Sequence, residues 1–169
     1  RNHFQYYGYK STESNFIGSN CITAMYKDND GKLWVGTDND GLYGLSDDKK
    51  ENVHYCSIAD KSGVPSTIMS LFEDSEKNLW VGAYNSGLGI LNRETGKFRN
   101  IRLLNQQKEV VERVYDLAED NEKRLWIATM GNGIFCYDIK RQQIRYNDDI
   151  RRMAQTEWTT CLHYSTASN

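Results

Sequence analysis

Two acidic phrases, Asp28-Asn29-Asp30-Gly31 and Asp38-Asn39-Asp40-Gly41, carry the alternating oxygen ligands with which a calcium loop begins. Such a loop also needs a bidentate Glu at its twelfth position. Asn39 and Lys49 stand there instead, and no helical pattern flanks either phrase, so both read as turns and no metal site is expected. Cys21, Cys56, Cys136 and Cys161 form no CxxC pair, which removes the ligand spacing of a zinc site. They read as small buried hydrophobes, with a disulfide permitted but not specified by spacing. His3, His54 and His163 fall in different parts of the chain, and no G-x-S-x-G, H-E-x-x-H or P-loop phrase occurs. No catalytic residue and no cofactor is therefore expected. The chemistry that remains is polar recognition. Asp38, Asn39, Asn85 and Asn132 offer donors and acceptors for hydroxyls, and Tyr84 and Trp158 offer rings for pyranose faces. Lys108, Arg151 and Arg152 match a sulfate or carboxylate. Asn and Asp also dominate tight turns for backbone reasons, so their meaning depends on the elements that carry them.

Those elements repeat. Trp34, Trp80 and Trp126 recur at intervals of 46 residues, each within one phrase: Leu33-Trp34-Val35-Gly36-Thr37, Leu79-Trp80-Val81-Gly82-Ala83 and Leu125-Trp126-Ile127-Ala128-Thr129. Asp28, Asp74 and Asp120 precede each Trp at a fixed distance, and Gly41, Gly87 and Gly133 follow at another. A fixed period of this length means one supersecondary unit copied in series. Each copy resolves into four short runs bounded by turn residues: 22–26, 33–37, 41–45 and 53–55 in the first, 68–72, 79–83, 87–91 and 98–101 in the second, 114–118, 125–129, 133–137 and 144–146 in the third. Four antiparallel strands per repeat describe the blade of a β-propeller. The predicted class is all-β, with blades over 22–56, 68–103 and 114–147. Residues 1–9, including Phe4-Gln5-Tyr6-Tyr7, have the phase of the last strand of a preceding blade, and 160–169 that of the first strand of a following one.

Alternation along the Trp phrase sends Leu33 and Val35 to one face of the sheet and Trp34 and Gly36 to the other. A large ring beside a residue without a side chain lets the next sheet approach closely. Trp34, Trp80, Trp126, Gly36, Gly82, Gly41, Gly87 and Gly133 are thus assigned to blade packing, and burial of one such Trp contributes at most about 4–6 kcal/mol. Propellers close with about 4–8 blades, so three blades predict a segment of a larger ring, or two copies that complete one.

Composition narrows the partners. The 21 Lys and Arg against 23 Asp and Glu leave a formal charge of −2, which argues against nucleic acid and anionic membranes. No apolar run reaches the length of a membrane span, and the chain opens on Arg1-Asn2-His3 without an initiator Met or a signal peptide, as an excised piece would. The 11 Tyr and 4 Trp beside a single Pro suit strands.

The recurrent pattern, an Ile-led strand, Asp, Leu-Trp-[Val/Ile]-[Gly/Ala]-[Thr/Ala] and then Gly-[Leu/Ile], resembles the two-component-regulator propeller repeat. The lead-in Ser14-Asn15-Phe16-Ile17-Gly18-Ser19-Asn20-Cys21-Ile22 is similar to that family's as well; Ala128, in place of Gly, is the one departure. The resemblance implies the extracytoplasmic, periplasmic sensor region of a hybrid two-component histidine kinase, in a membrane-anchored parent. With a sequence poor in catalytic motifs, it implies a non-enzymatic module that binds a glycan or oligosaccharide and signals to a kinase elsewhere in the parent chain. Propeller ligands usually meet the loops joining strands two to three and the fourth strand to the next blade, which hold Asp38, Asn39, Tyr84, Asn85, Asn132, Lys108, Arg151, Arg152 and Trp158. The alternatives are a protein-interaction scaffold, favoured by an apolar patch around Tyr6-Tyr7-Gly8-Tyr9, and a propeller lyase, which requires a His and a carboxylate converging on one mouth.

Overall fold

In the computed structural model the described residues are 17–145, without Asn20 and Ala59. They form twelve strands in three four-stranded antiparallel sheets, each in simple sequence order. The first sheet holds β1 (Ile22–Lys27), β2 (Leu33–Thr37), β3 (Leu42–Leu45) and β4 (Val53–Tyr55), with a single 3-10 turn, Lys49–Glu51, before β4. The second holds β5 (Ile68–Glu73), β6 (Leu79–Ala83), β7 (Leu88–Leu91) and β8 (Phe98–Ile101), and the third β9 (Val114–Glu119), β10 (Arg124–Thr129), β11 (Ile134–Asp138) and β12 (Gln143–Arg145). No helix among the described residues is long and apolar enough to cross a membrane. The expected outer strands at 1–9 and 160–169, the lead-in at 14–16 and Tyr146 lie outside the described residues.

Register repeats with sequence. Trp34 pairs with Tyr26 and Gly44, Trp80 with Phe72 and Ile90, and Trp126 with Ala118 and Cys136. A shift of register interrupts the pairing at the same place in each sheet, opposite the end of the Trp strand. Such a bulge bends the inner strand and increases its twist, as sheets radiating from an axis require.

The core lies between sheets. The Trp34 face of the first sheet packs with Leu71, Leu79, Val81 and Leu91 of the second, and the Trp80 face of the second packs with Leu117, Leu125, Ile127, Phe135 and Tyr137 of the third. Trp34 and Trp80 are each 1% exposed, whereas Trp126 is half-buried. A Cβ added to Gly36 would sit 2.6 Å from Ile68 Cγ2, and one on Gly82 would sit 2.8 Å from Val114 Cγ1. The small residue after the Trp therefore admits the first residue of the next blade.

The turn Asp has a second role that the sequence reading of it as a turn residue does not contain. In each blade one carboxylate oxygen accepts two turn amides: Asp30 and Lys32 at Asp28, Glu76 and Asn78 at Asp74, Glu122 and Arg124 at Asp120. The other oxygen accepts the Trp indole N–H, at 2.8, 2.7 and 2.7 Å for Trp34, Trp80 and Trp126. A buried indole needs an acceptor, and the fixed Asp-to-Trp spacing supplies one. Gly31, Lys77 and Lys123 close the three turns in left-handed conformation.

Candidate functional site

The two ends of the sheets differ in what they present. At one end lie the β2–β3 loops and the connections from each blade to the next, where sequence places the candidate ligand residues. Gly41, Gly87 and Gly133 anchor these loops with φ of +72°, +68° and +71°. The Gly41 amide donates to Ser66 O and the Gly87 amide to Glu112 O, so each loop is tied to the entry of the following blade. A Cβ on Gly87 would sit 2.6 Å from Val111 O, so both conformation and space demand glycine there.

The side chains on these ties vary between blades. At the first junction Thr67 donates its hydroxyl to the Asp38 carboxylate at 3.3 Å. At the second, the equivalent positions hold Tyr84 and Arg113, and the guanidinium carbon lies 5.1 Å from the ring centre. The Met130 amide donates to Arg113 O, which brings the third blade's loop to the same junction. Within that loop Asn132 accepts from Asn105 Nδ2 at 3.1 Å. Asn105 itself caps the turn ending at Lys108, a residue in left-handed conformation with φ +63°. Asn39 is likewise left-handed, at φ +74°. Asn39 and Lys108 thus sit where turn geometry asks for them. Asp38 is tied to the first junction, Tyr84 meets Arg113 at the second, and Asn132 meets Asn105 of the connection that leads to it. Arg151, Arg152 and Trp158 lie outside the described residues. Arg113 was missed by sequence reading, because it directly precedes a strand and its partner Tyr84 lies in the preceding blade.

His54 and Asp40 meet at this end. His54 Nε2 is 2.7 Å from Asp40 O and 3.7 Å from its carboxylate, and the imidazole stacks on Tyr43 at 4.1 Å. The Tyr43 hydroxyl donates to Asp40 Oδ2 at 2.6 Å and accepts the Gly18 amide, and burial with the carboxylate bond pushes its pKa up. The second blade explains this cluster: Asn100 Nδ2 donates to Ser86 O at 3.0 Å from the equivalent positions. His54 repeats that donor, so its contact with the loop is a strand tie common to both blades. His3 and His163 lie outside the described residues.

At the opposite end, between the first and second blades, a polar cavity of about 670 Å³ is lined by residues including Lys27, Lys32, Asp47, Glu51, Tyr55 and Glu94. Arg93 is also part of its lining. It pairs with Asp28 at 2.9 Å and with Glu73, and donates to Lys77 O. Glu73 in turn accepts the Asn29 amide and side chain from the first blade. Glu119 repeats this latch on Ser75, one blade on. Burial acts against the Asp28 charge, but the Trp34, backbone and Arg93 bonds outweigh it and hold the carboxyl below its ordinary range.

The cysteines follow expectation in part. Cys56 and Cys136 are buried, and burial pushes the Cys136 thiol up to about 11, but Cys21 is exposed where the first blade begins. Burial of Cys21 as a small hydrophobe was therefore a wrong expectation: it precedes β1, a strand in which no residue is fully buried. Cys161 lies outside the described residues.

Residues 17–39, 55–85 and 110–131 match the family model described as a two component regulator propeller. The chain is similar to a protein from B. thetaiotaomicron described as the extracellular domain of a hybrid two component system. Identity is 24% and the TM-score 0.61, over 73% of this chain and 17% of that one. It is also similar to virginiamycin B lyase from Staphylococcus aureus, at 17% identity and a TM-score of 0.57, over 74% of this chain and 40% of that one. The RRP9 WD40 repeats give 11% and 0.59, over 75% and 38%. At these identities the likeness is one of fold, and the chain spans only 17% of the length of the two-component protein. No curated protein matches it.

Proposed function

We propose that the chain, whose repeats match the two component regulator propeller model, is a ligand-sensing segment of the extracytoplasmic propeller of a hybrid two-component histidine kinase. The observation that carries this reading is the match of three successive repeats to the family model. Its ligand is a glycan or oligosaccharide, met at the end that carries the β2–β3 loops. Support comes from the division of labour within each repeat. The Asp–Trp pair and the hinge glycines recur, whereas the loop positions Asp38, Tyr84 and Met130, and likewise Asp40, Ser86 and Asn132, differ from copy to copy on the same rigid mount. Polar side chains beside an aromatic suit hydroxyl groups and a sugar face. Binding would bias the arrangement of blades, or of this segment against the rest of its ring, and so the kinase elsewhere in the parent chain.

In this reading the segment is not itself an enzyme. Among the described residues a propeller lyase would need His54 for proton transfer, and the Asn100–Ser86 tie in the next blade gives that histidine a structural duty. Titration calorimetry of the full chain against neutral and acidic oligosaccharides tests the sensor reading. Saturable heat with one class supports it, and silence across all classes from a folded chain overturns it.

A further inference from the structure

We propose that Arg113, held on the ring of Tyr84, is the subsite for an anionic substituent of the ligand, a uronate carboxylate or a sulfate ester. The inference rests on the glycan reading above and names the substrate class of that site. Three features of the junction between the second and third blades point to it.

First, the guanidinium is exposed yet placed. Its carbon lies 5.1 Å from the Tyr84 ring centre, and the backbone on both sides is fixed: Glu112 O accepts the Gly87 amide and Arg113 O accepts the Met130 amide. Stacking on an arene occupies a face of the guanidinium and leaves its in-plane N–H fork for a bidentate acceptor. Second, Arg113 enters no ion pair with a carboxylate among the described residues. Arg93, Arg124 and Arg141 are each paired with one, whereas Arg99, Arg102 and Arg145 share the unpaired state of Arg113 but lie over no aromatic ring among the described residues. Third, the equivalent positions at the first junction, Asp38 and Thr67, are tied to each other by a hydroxyl-to-carboxylate bond. The scaffold therefore needs neither a ring nor a cation at these positions. Asn132, in the loop of the third blade, is fixed by accepting from Asn105 Nδ2 at 3.1 Å and keeps its own amide N–H2 for a neighbouring hydroxyl. An acidic sugar would set its anionic group in the Arg113 fork and its face near Tyr84.

The test is calorimetry of the full chain with matched pairs of oligosaccharides: polygalacturonate fragments against their methyl esters, and sulfated against unsulfated chondroitin fragments. The expected result is binding of an acidic member with weaker or no binding of its neutral partner, and an affinity that falls with added salt. Arg113→Gln should weaken that binding about 10- to 100-fold, the range for loss of a charged hydrogen-bonding partner. Tyr84→Phe should retain it, and Tyr84→Leu should weaken it with the thermal midpoint unchanged. Binding of neutral fragments that ignores Arg113→Gln would overturn this inference and leave the sensor reading standing. Silence toward every fragment would overturn both.

Discussion

Replacing Asp74 by Asn keeps the shape of the side chain and removes one of the two acceptor oxygens on which the second blade's turn depends. Asp74 is 1% exposed, with one oxygen accepting from the Glu76 and Asn78 amides at 2.9 and 2.8 Å and the other from Trp80 Nε1 at 2.7 Å. An asparagine has a single carbonyl, so whichever way the amide turns, an N–H2 faces an N–H. The Glu76 and Asn78 amides and the Asn78 side chain all donate to the same oxygen, so the single carbonyl stays with the turn and the N–H2 faces the indole. A Trp that is 1% exposed has no water to take the lost acceptor's place. A buried donor left unmade costs about 1–3 kcal/mol, and weakening of the turn adds roughly 1 kcal/mol, so Asp74→Asn should destabilise the chain by about 2–4 kcal/mol. In a Trp80→Phe background the indole N–H is already gone, and the same change should cost only about 1 kcal/mol. The difference, a coupling of about 1–3 kcal/mol, is read from urea unfolding of the four chains of the cycle, followed by circular dichroism because a tryptophan is removed. Equal costs of Asp74→Asn in the two backgrounds would show that the carboxylate serves only its turn, and the Asp–Trp pairing would lose its place as a structural unit.

Further outcomes follow from the same contacts. For Asp28 and Asp120, burial opposes the charge but is outweighed by the bonds from Trp34 and Trp126 and their neighbours, so both pKa values lie below the ordinary carboxylate value. Each contributes stability that is present above the unfolded pKa, near 3.9, and is lost as pH falls through the lower folded value. Urea midpoints should therefore drop below about pH 4, with a shallower drop in Asp28→Asn and Asp120→Asn. Gly82→Ala should cost about 1–3 kcal/mol through overpacking against Ser70 and Val114, whereas Ala128→Gly, at the equivalent position of the third blade, should change thermal stability far less. In a Cys161→Ser background, a thiol reagent at neutral pH should label Cys21 quickly and Cys56 and Cys136 only on unfolding, since the latter two are buried and the Cys136 thiol is raised to about 11.

The period of 46 residues, the strand alternation and the turn residues by themselves place the elements of three blades, because they depend on near neighbours along the chain. The bulky-small pairing of Trp34 with Gly36 and of Trp80 with Gly82 is legible for the same reason: a strand's two faces follow from parity alone. What the Asp does for the Trp was in view as a constant spacing but not readable as a bond. Only folding of the β1–β2, β5–β6 and β9–β10 turns aims the second carboxylate oxygen at the indole. The candidate site divides in the same way. Sequence places Tyr84, Asn85 and Asn132 in strand-two-to-three loops, and in the fold Tyr84 meets Arg113 while Asn132 meets Asn105. It could not find Arg113, whose partner lies in the preceding blade, nor the Arg93 bridge from the second blade to Asp28 of the first. A local pattern specifies which way a side chain leaves its strand. What that side chain meets is decided by the blade stacked against it, and that packing is a property of the tertiary structure alone.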